Sequence, residues 1–288
     1  MKYGQASTWE WLHRTSLIPA YIRRSYDSSL RRSRLACDLD RSELSALSYS
    51  IGQAMTAIFC MQKLNVSHML HVDRYARVGR LQFGTTTKRP DLFGLSPNGW
   101  IVAEAKGRTR AADNQTIKKI GEQKRAVSTI CGQPPYLTVG CISSFPAPLD
   151  ALKLDVVDPT DEPLEPIQLA VDLDRFILAY YSPLLDLIDA GRAVELSDGY
   201  LSRRFADLGI EIRLRSDIYR LVRDAQSGRE SGLHENVQET LSRPTRLETD
   251  SAPMREDASF GRSHADGSIF ITDWAEEIRA TAIELEEY

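Results

Sequence analysis

The sequence predicts an α/β protein with a sheet at its core and helices packed on it. Three observations predict it. Residues 91–106 read as two strands joined by a tight turn. Residues 42–64 and 113–131 carry apolar residues at helical spacing, and Tyr136-Leu137-Thr138-Val139-Gly140-Cys141-Ile142 reads as a buried strand. With a strand over 66–76, the order is helix, strand, strand, strand, helix, strand.

Each element has its own signal. Residues 8–34 read as helical, Trp9, Trp11, Leu12, Leu17, Ile18, Tyr21 and Ile22 giving an apolar side among arginines, with Pro19 as a break or kink. The helix from Ser42 to Leu64 repeats Leu44, Leu47, Ile51, Met55, Ile58 and Phe59, and Ser42 suits its cap. Leu81-Gln82-Phe83-Gly84 extends or returns the 66–76 strand. Ser96-Pro97-Asn98-Gly99 is a strong turn signal, since proline presets φ and Asn-Gly tolerates positive φ. Trp100-Ile101-Val102-Ala103 then supplies the apolar run of a strand. The helix over 113–131 starts at Asp113 or Asn114 and stops at Gly132-Gln133-Pro134-Pro135.

Beyond residue 150 the signals thin out. Leu152 to Val157 reads as a strand, Ile167 to Ile188 as a helix marked by Pro183, and Ile210 to Leu214 as a strand between short helices. Residues 226–265 are polar, with hardly any aliphatic cluster, which predicts a flexible linker. Ser268-Ile269-Phe270-Ile271 reads as a short strand, and Asp273 with Glu276 as a capping box for a final acidic helix. The predicted organisation is a helical N-terminal extension (1–41), a main domain (42–225), the linker (226–265) and an acidic strand-helix tail (266–288).

Composition excludes several classes. In 288 residues, 42% are hydrophobic and 26% charged, as in a soluble globular protein. No apolar run approaches the roughly 20 residues of a membrane span, and the first residues lack an apolar signal core. A cytoplasmic protein with no membrane partner is expected. Cys37, Cys60, Cys131 and Cys141 lack CxxC spacing and sit mostly in apolar contexts, which predicts buried reduced thiols rather than a zinc site. The formal net charge of −4 hides two basic stretches, 1–36 and 106–125, each with seven basic residues against two acidic ones. Such patches set a nucleic-acid footprint whatever the global charge. Solvated helix surface is the plain alternative.

The chemistry concentrates in Arg89-Pro90-Asp91-Leu92-Phe93-Gly94 and Ile101-Val102-Ala103-Glu104-Ala105-Lys106-Gly107. Side chains alternate along a strand, so Glu104 and Lys106 project together and the hairpin brings Asp91 towards the same face. Hard cations such as Mg²⁺ take carboxylate and carbonyl oxygens. Asp91 and Glu104 supply the carboxylates, the Ala105 backbone carbonyl a third oxygen, and Lys106 a cation beside the metal to position water or stabilise a pentavalent transition state. A second Glu-x-Lys, Glu122-Gln123-Lys124, lies in a predicted helix, where residues two apart do not share a face. His68 and His71, three apart in a strand, face opposite sides. Neither a Gly-x-Ser-x-Gly elbow nor a Walker or dinucleotide glycine pattern occurs.

Pro90-Asp91 followed by Glu104-Ala105-Lys106 at the end of an apolar strand resembles the PD-(D/E)XK nuclease superfamily, also called restriction-endonuclease-like. The resemblance covers about residues 42–145. It implies a central mixed β-sheet flanked by helices, here with helical N-terminal and C-terminal additions. It further implies that Asp91 and Glu104 bind Mg²⁺, with Mn²⁺ able to substitute, and that Lys106 assists the attack of water. Many members add an acid from the helix before the first core strand. Glu43 takes that role here, or Gln53 replaces it as a neutral contact, or the site uses one metal. Some members place a glutamine after the lysine strand with a tyrosine four residues on. Gln123 matches the first, but residue 127 is valine.

Arg108, Arg110, Lys118, Lys119, Gln123 and Lys124 follow the site and are candidates for nucleic-acid contact, the cations through backbone phosphates. The expected function is a metal-dependent nuclease, with DNA as the expected partner, of a restriction, phage-defence or repair system. The alternative is a catalytically silent member acting as a nucleic-acid-binding or assembly subunit. A homo-oligomer or a partner protein is compatible with either.

Overall fold

The structure is a computed structural model that describes residues 5–79, 89–124, 127–148, 150–157, 167–229, 231–243 and 260–274. The chain divides into two compact units, one of residues 17–171 and one of residues 1–16 with 172–277, where a single main domain over 42–225 was expected. Helix α1 (Gln5–Tyr21) begins in the second of these and continues into the first.

The unit of residues 17–171 opens on a hairpin, β1 (Ile22–Arg24) with β2 (Leu30–Arg32), where the sequence predicts helix. A short α2 (Arg34–Cys37) follows, then α3 (Arg41–Lys63), β3 (His68–His71), α4 (Val72–Gly79), β4 (Leu92–Ser96) and β5 (Gly99–Arg108). After these come α5 (Asn114–Lys124), β6 (Val127–Ile130), β7 (Leu137–Ser144), β8 (Lys153–Val157) and β9 (Ile167–Leu169). The main sheet has five strands in the order β3-β4-β5-β7-β8. It is mixed: β5 and β7 run parallel, and the other neighbours run antiparallel. A central mixed sheet with helices on both faces is the coarse architecture expected.

Alternation along β5 decides what each face holds. Ile101 and Ala103 lie with Leu92, Val139 and Cys141 against Cys60 of α3 in one apolar cluster. Val102 and Glu104 occupy the opposite face. There Phe93 stacks on Trp100 and meets Tyr75 of α4, and Ile120 of α5 fills the space left by the missing side chain of Gly140. Helix α3 is long and apolar enough to cross a membrane, contrary to the sequence expectation, yet it buries Leu47, Gly52, Thr56 and Cys60 along β5 and β7.

Local context shortened several expected elements. The 66–76 strand ends at His71 and turns into α4, while Leu81 to Gly84 lie outside the described residues. The helix predicted over 113–131 ends by Lys124, because Val127 and Ile130 are buried in β6, parallel to β9. Cys131 is exposed, unlike the buried Cys60 and Cys141.

The other unit carries α6 (Leu173–Asp189), β10 (Val194–Glu195), β11 (Tyr200–Phe205), a short 3-10 turn (Ala206–Leu208) and β12 (Ile210–Arg215). Then come α7 (Ser216–Gln226), α8 (Leu233–Ser242), β13 (Phe260–Ser263) and β14 (Ser268–Thr272). Its sheet is antiparallel, ordered β10-β11-β12-β14-β13. Trp11 stacks on Phe270, and the Tyr180 and Tyr181 hydroxyls donate to the Asp266 carboxylate and carbonyl at 2.5 and 2.7 Å.

Residues 233–242 correct the linker prediction. Leu233, Val237 and Thr240 are buried where α8 meets α6 and α7. The Asp174 carboxylate accepts from the Gly232 and His234 amides at 3.0 and 2.8 Å, capping the helix from outside its own sequence. The predicted final helix lies outside the described residues.

Candidate active site

The site forms where the β4–β5 ladder ends. Ser96 pairs with Gly99 across the turn, and the register runs back to Leu92 opposite Ala103. Gly99 has φ of 127°, so the turn needs glycine there. One step beyond the ladder, Asp91 stands opposite Glu104. Its amide donates to Glu104 Oε2 at 3.2 Å, and its own Oδ2 accepts from the Ala105 amide at 3.0 Å. Each acid is thus held by the backbone of the other strand.

Pro90 explains why the ladder stops. It has no amide hydrogen to give the Ala105 carbonyl, and the Asp91 carboxylate accepts from the Ala105 amide in place of a ladder partner. A strand residue turns its N–H and C=O to the same edge, so the Ala105 carbonyl faces the Asp91 side too. That is the third oxygen the sequence predicts.

Lys106 shares its face with Glu104, and its Nζ lies 2.5 Å from Glu104 Oε1. Glu104 is 1% exposed, Asp91 19% and Lys106 31%, so the group reaches solvent through the lysine and the aspartate. Burial, reinforced by the Asp91 charge, pushes the Glu104 carboxyl up to about 7; the Lys106 ammonium and the Asp91 amide only partly counter this.

Helix α3 reaches this end of β5 through two glycines. A side chain at Gly107 would overlap the Ser48 carbonyl, and one at Gly52 would come within 2.8 Å of the Lys106 backbone. The helix therefore lies directly on the backbone that carries Lys106.

The remaining expected residues are placed differently. Glu43 belongs to the exposed start of α3, where its carboxylate accepts from the Asp40 amide at 3.2 Å and Asp40 caps the helix. That capping box occupies the residue expected to supply a further acid. Gln53 has a buried side-chain nitrogen without a partner among the described residues. Arg108 ends β5 and donates to Thr116 Oγ1 on α5, with Asp113 3.9 Å away. Arg110 and Lys118 are exposed. Lys119, Gln123 and Lys124 lie on α5, with side chains outside the described part of the structure, as is the side chain of Glu122 in the second Glu-x-Lys.

His71 is the residue sequence reasoning missed. As the last residue of β3 it pairs with Leu92, and its Nε2 comes to 3.8 Å from Asp91 Oδ1. His68, by contrast, is buried with Nδ1 2.9 Å from Ser67 Oγ. The signal was the pairing of β3 with β4, which the spacing of the two histidines does not reveal.

No family model, curated protein or solved structure matches the chain. The chemistry of the site is therefore argued from its own atoms. Two carboxylates against one ammonium leave excess negative charge when both acids are ionised, and one of those acids is almost wholly buried. Among the described residues no three His, Cys, Asp or Glu side chains form a closed cage. Two carboxylates with a backbone carbonyl form an open, all-oxygen set, and that set fits a hard divalent cation that keeps part of its water shell.

Proposed function

We propose that this protein is a metal-dependent nuclease, hydrolysing phosphodiester bonds at Asp91, Glu104 and Lys106, with DNA as the substrate. The observation that carries the reading is the reciprocal lock between Asp91 and Glu104, with Lys106 on the same face. A buried carboxyl raised to about 7 by burial and a second acid is costly to keep, and such groups cluster at functional sites. A plain surface ion pair has no need of either feature.

Asp91, Glu104 and the Ala105 carbonyl would hold Mg²⁺, or Mn²⁺ in its place. Bound there, the cation would lower the pKa of a coordinated water and draw charge from the phosphate oxygens. Lys106 orients the incoming water or donates to a non-bridging oxygen as charge builds on it. Asp91 orients the Ala105 amide and carbonyl, and Glu104 fixes the lysine. The PD-(D/E)XK resemblance agrees with these roles.

Incubation of plasmid, linear and single-stranded DNA and RNA with Mg²⁺, Mn²⁺ or EDTA tests the proposal. Cleavage that needs the metal and disappears in Asp91→Ala and Lys106→Ala supports it. Cleavage by Asp91→Ala at the wild-type rate would overturn it. Glu43's engagement in a helix cap favours a second reading, a silent nucleic-acid-binding subunit. Nucleic-acid binding without Mg²⁺ or Mn²⁺ uptake in calorimetry would select it.

A further inference from the structure

We infer that the β1–β2 hairpin is a single-strand grip, in which Tyr26 stacks on an unpaired base while Arg23 and Arg31 meet the adjoining phosphates. The choice of nucleic acid as its partner rests on the nuclease reading of Asp91, Glu104 and Lys106. The hairpin belongs to the same compact unit as those residues.

Its two faces are unlike. Ile22 pairs with Arg32 on one face, and both are buried. The Arg32 guanidinium donates to the Ala147 carbonyl at 3.2 Å and lies 5.1 Å from the Phe145 ring centre, while the Leu152 amide donates to the Leu30 carbonyl at 2.7 Å. These contacts anchor the hairpin. On the other face Arg23 pairs directly with Arg31. Like charges opposite each other across an antiparallel pair cost stability. Residues 22–34 hold five arginines and a single carboxylate, Asp27, which lies 3.4 Å from Arg31. The Arg23 guanidinium donates to the Pro19 and Ile22 carbonyls at 2.8 and 3.0 Å, which leaves its charge in place, and a polyanion complements the positive charge gathered here.

The tip is built to present an aromatic ring. The Ser25 amide donates to the Ser29 carbonyl, the Ser28 amide donates to the Ser25 carbonyl, and Asp27 Oδ1 accepts from the Ser29 amide at 2.9 Å. Ser28 adopts φ of 64°, and Arg24 donates to its hydroxyl at 3.2 Å. On this hydrogen-bonded loop Tyr26 is 91% exposed. A ring flanked by cations matches the platform that binds single strands, because an unpaired base offers its face. In a duplex those faces are already stacked, so only the phosphate contacts remain.

The test is fluorescence anisotropy of labelled oligothymidylate and of a duplex with the full chain in EDTA. Tyr26→Ala should weaken oligothymidylate binding roughly 5- to 150-fold while Tyr26→Phe retains it. Duplex binding should stay within about two-fold, since stacking contributes little there. The double variant Arg23→Gln/Arg31→Gln should lower the slope of log affinity against log salt by about 1.4. Wild-type affinity in Tyr26→Ala overturns the inference, as does a wild-type chain that binds no oligothymidylate, which would point the hairpin towards a protein. Mg²⁺-dependent cleavage by the same preparations separates the two ideas. Cleavage with Tyr26-independent binding overturns the hairpin role alone, and Tyr26-dependent binding without cleavage overturns the nuclease reading alone.

Discussion

Replacing Glu104 by glutamine removes a titration that the fold holds far from its ordinary range. Burial first, and the Asp91 charge second, push this carboxyl from 4.5 to about 7. An acid with a raised folded pKa binds its proton more tightly in the folded state than in the unfolded chain. Its stabilising contribution is therefore complete below about pH 4.5 and is lost as the pH rises through about 7. At 1.36 kcal/mol per pH unit, that window amounts to roughly 3 kcal/mol. Glutamine keeps the shape, stays neutral and still offers an oxygen to Lys106. The unfolding free energy of Glu104→Gln minus that of the wild type should thus rise by about 3 kcal/mol across the window. Urea unfolding of both proteins at a series of pH values reads this directly, because titrations remote from Glu104 are common to both and cancel. A difference that stays flat within about 0.5 kcal/mol, the scatter of independent effects, would refute the reasoning.

Gly107→Ala places a methyl group on the Ser48 carbonyl and within 2.8 Å of the Tyr49 amide nitrogen. It should cost about 1–3 kcal/mol in urea unfolding, and an unchanged midpoint would show that α3 can move aside. Phe93→Ala empties a fully buried site between Tyr75 and Trp100 and should cost about 3–5 kcal/mol by the same measurement. Asp174→Ala leaves the Gly232 and His234 amides without their carboxylate and should cost about 0.5–2 kcal/mol, with faster proteolysis within residues 233–242. Wild-type protease resistance there would mean that α8 is held by its apolar face alone.

The parts of the fold that the sequence discloses are those specified by short-range rules. The Ser96 to Gly99 turn, the apolar strand carrying Glu104 and the long helix α3 all follow from turn chemistry, alternation and 3.6-residue spacing. The cap of α3, however, is Asp40, whose carboxylate accepts from the Ser42 and Glu43 amides, and not Ser42 as the sequence suggests. Asp91, Glu104 and Lys106 meet because one hairpin register places them, so local pattern is enough. His71 depends on which strand pairs with β4, and the closeness of α3 depends on two glycines 55 positions apart, Gly52 and Gly107. Neither is a local property. The polar helix α8 misled for a related reason. Its buried face is only Leu233, Val237 and Thr240, and its N-terminal cap comes from Asp174 in another helix. Polar composition predicts disorder until such distant partners are known. The basic residues near the N-terminus likewise read as helix, because the turn from Ser25 to Ser29 is made by side-chain and loop hydrogen bonds rather than by Asn-Gly or proline.

The most direct test of the central claim is plasmid cleavage by purified wild-type and Glu104→Gln proteins, each with Mg²⁺ and with EDTA. The site predicts cleavage by the wild type with Mg²⁺ alone, and a loss of about 100-fold or more in Glu104→Gln with its folded structure retained. Equal cleavage by the two proteins, or cleavage undiminished by EDTA, would contradict it.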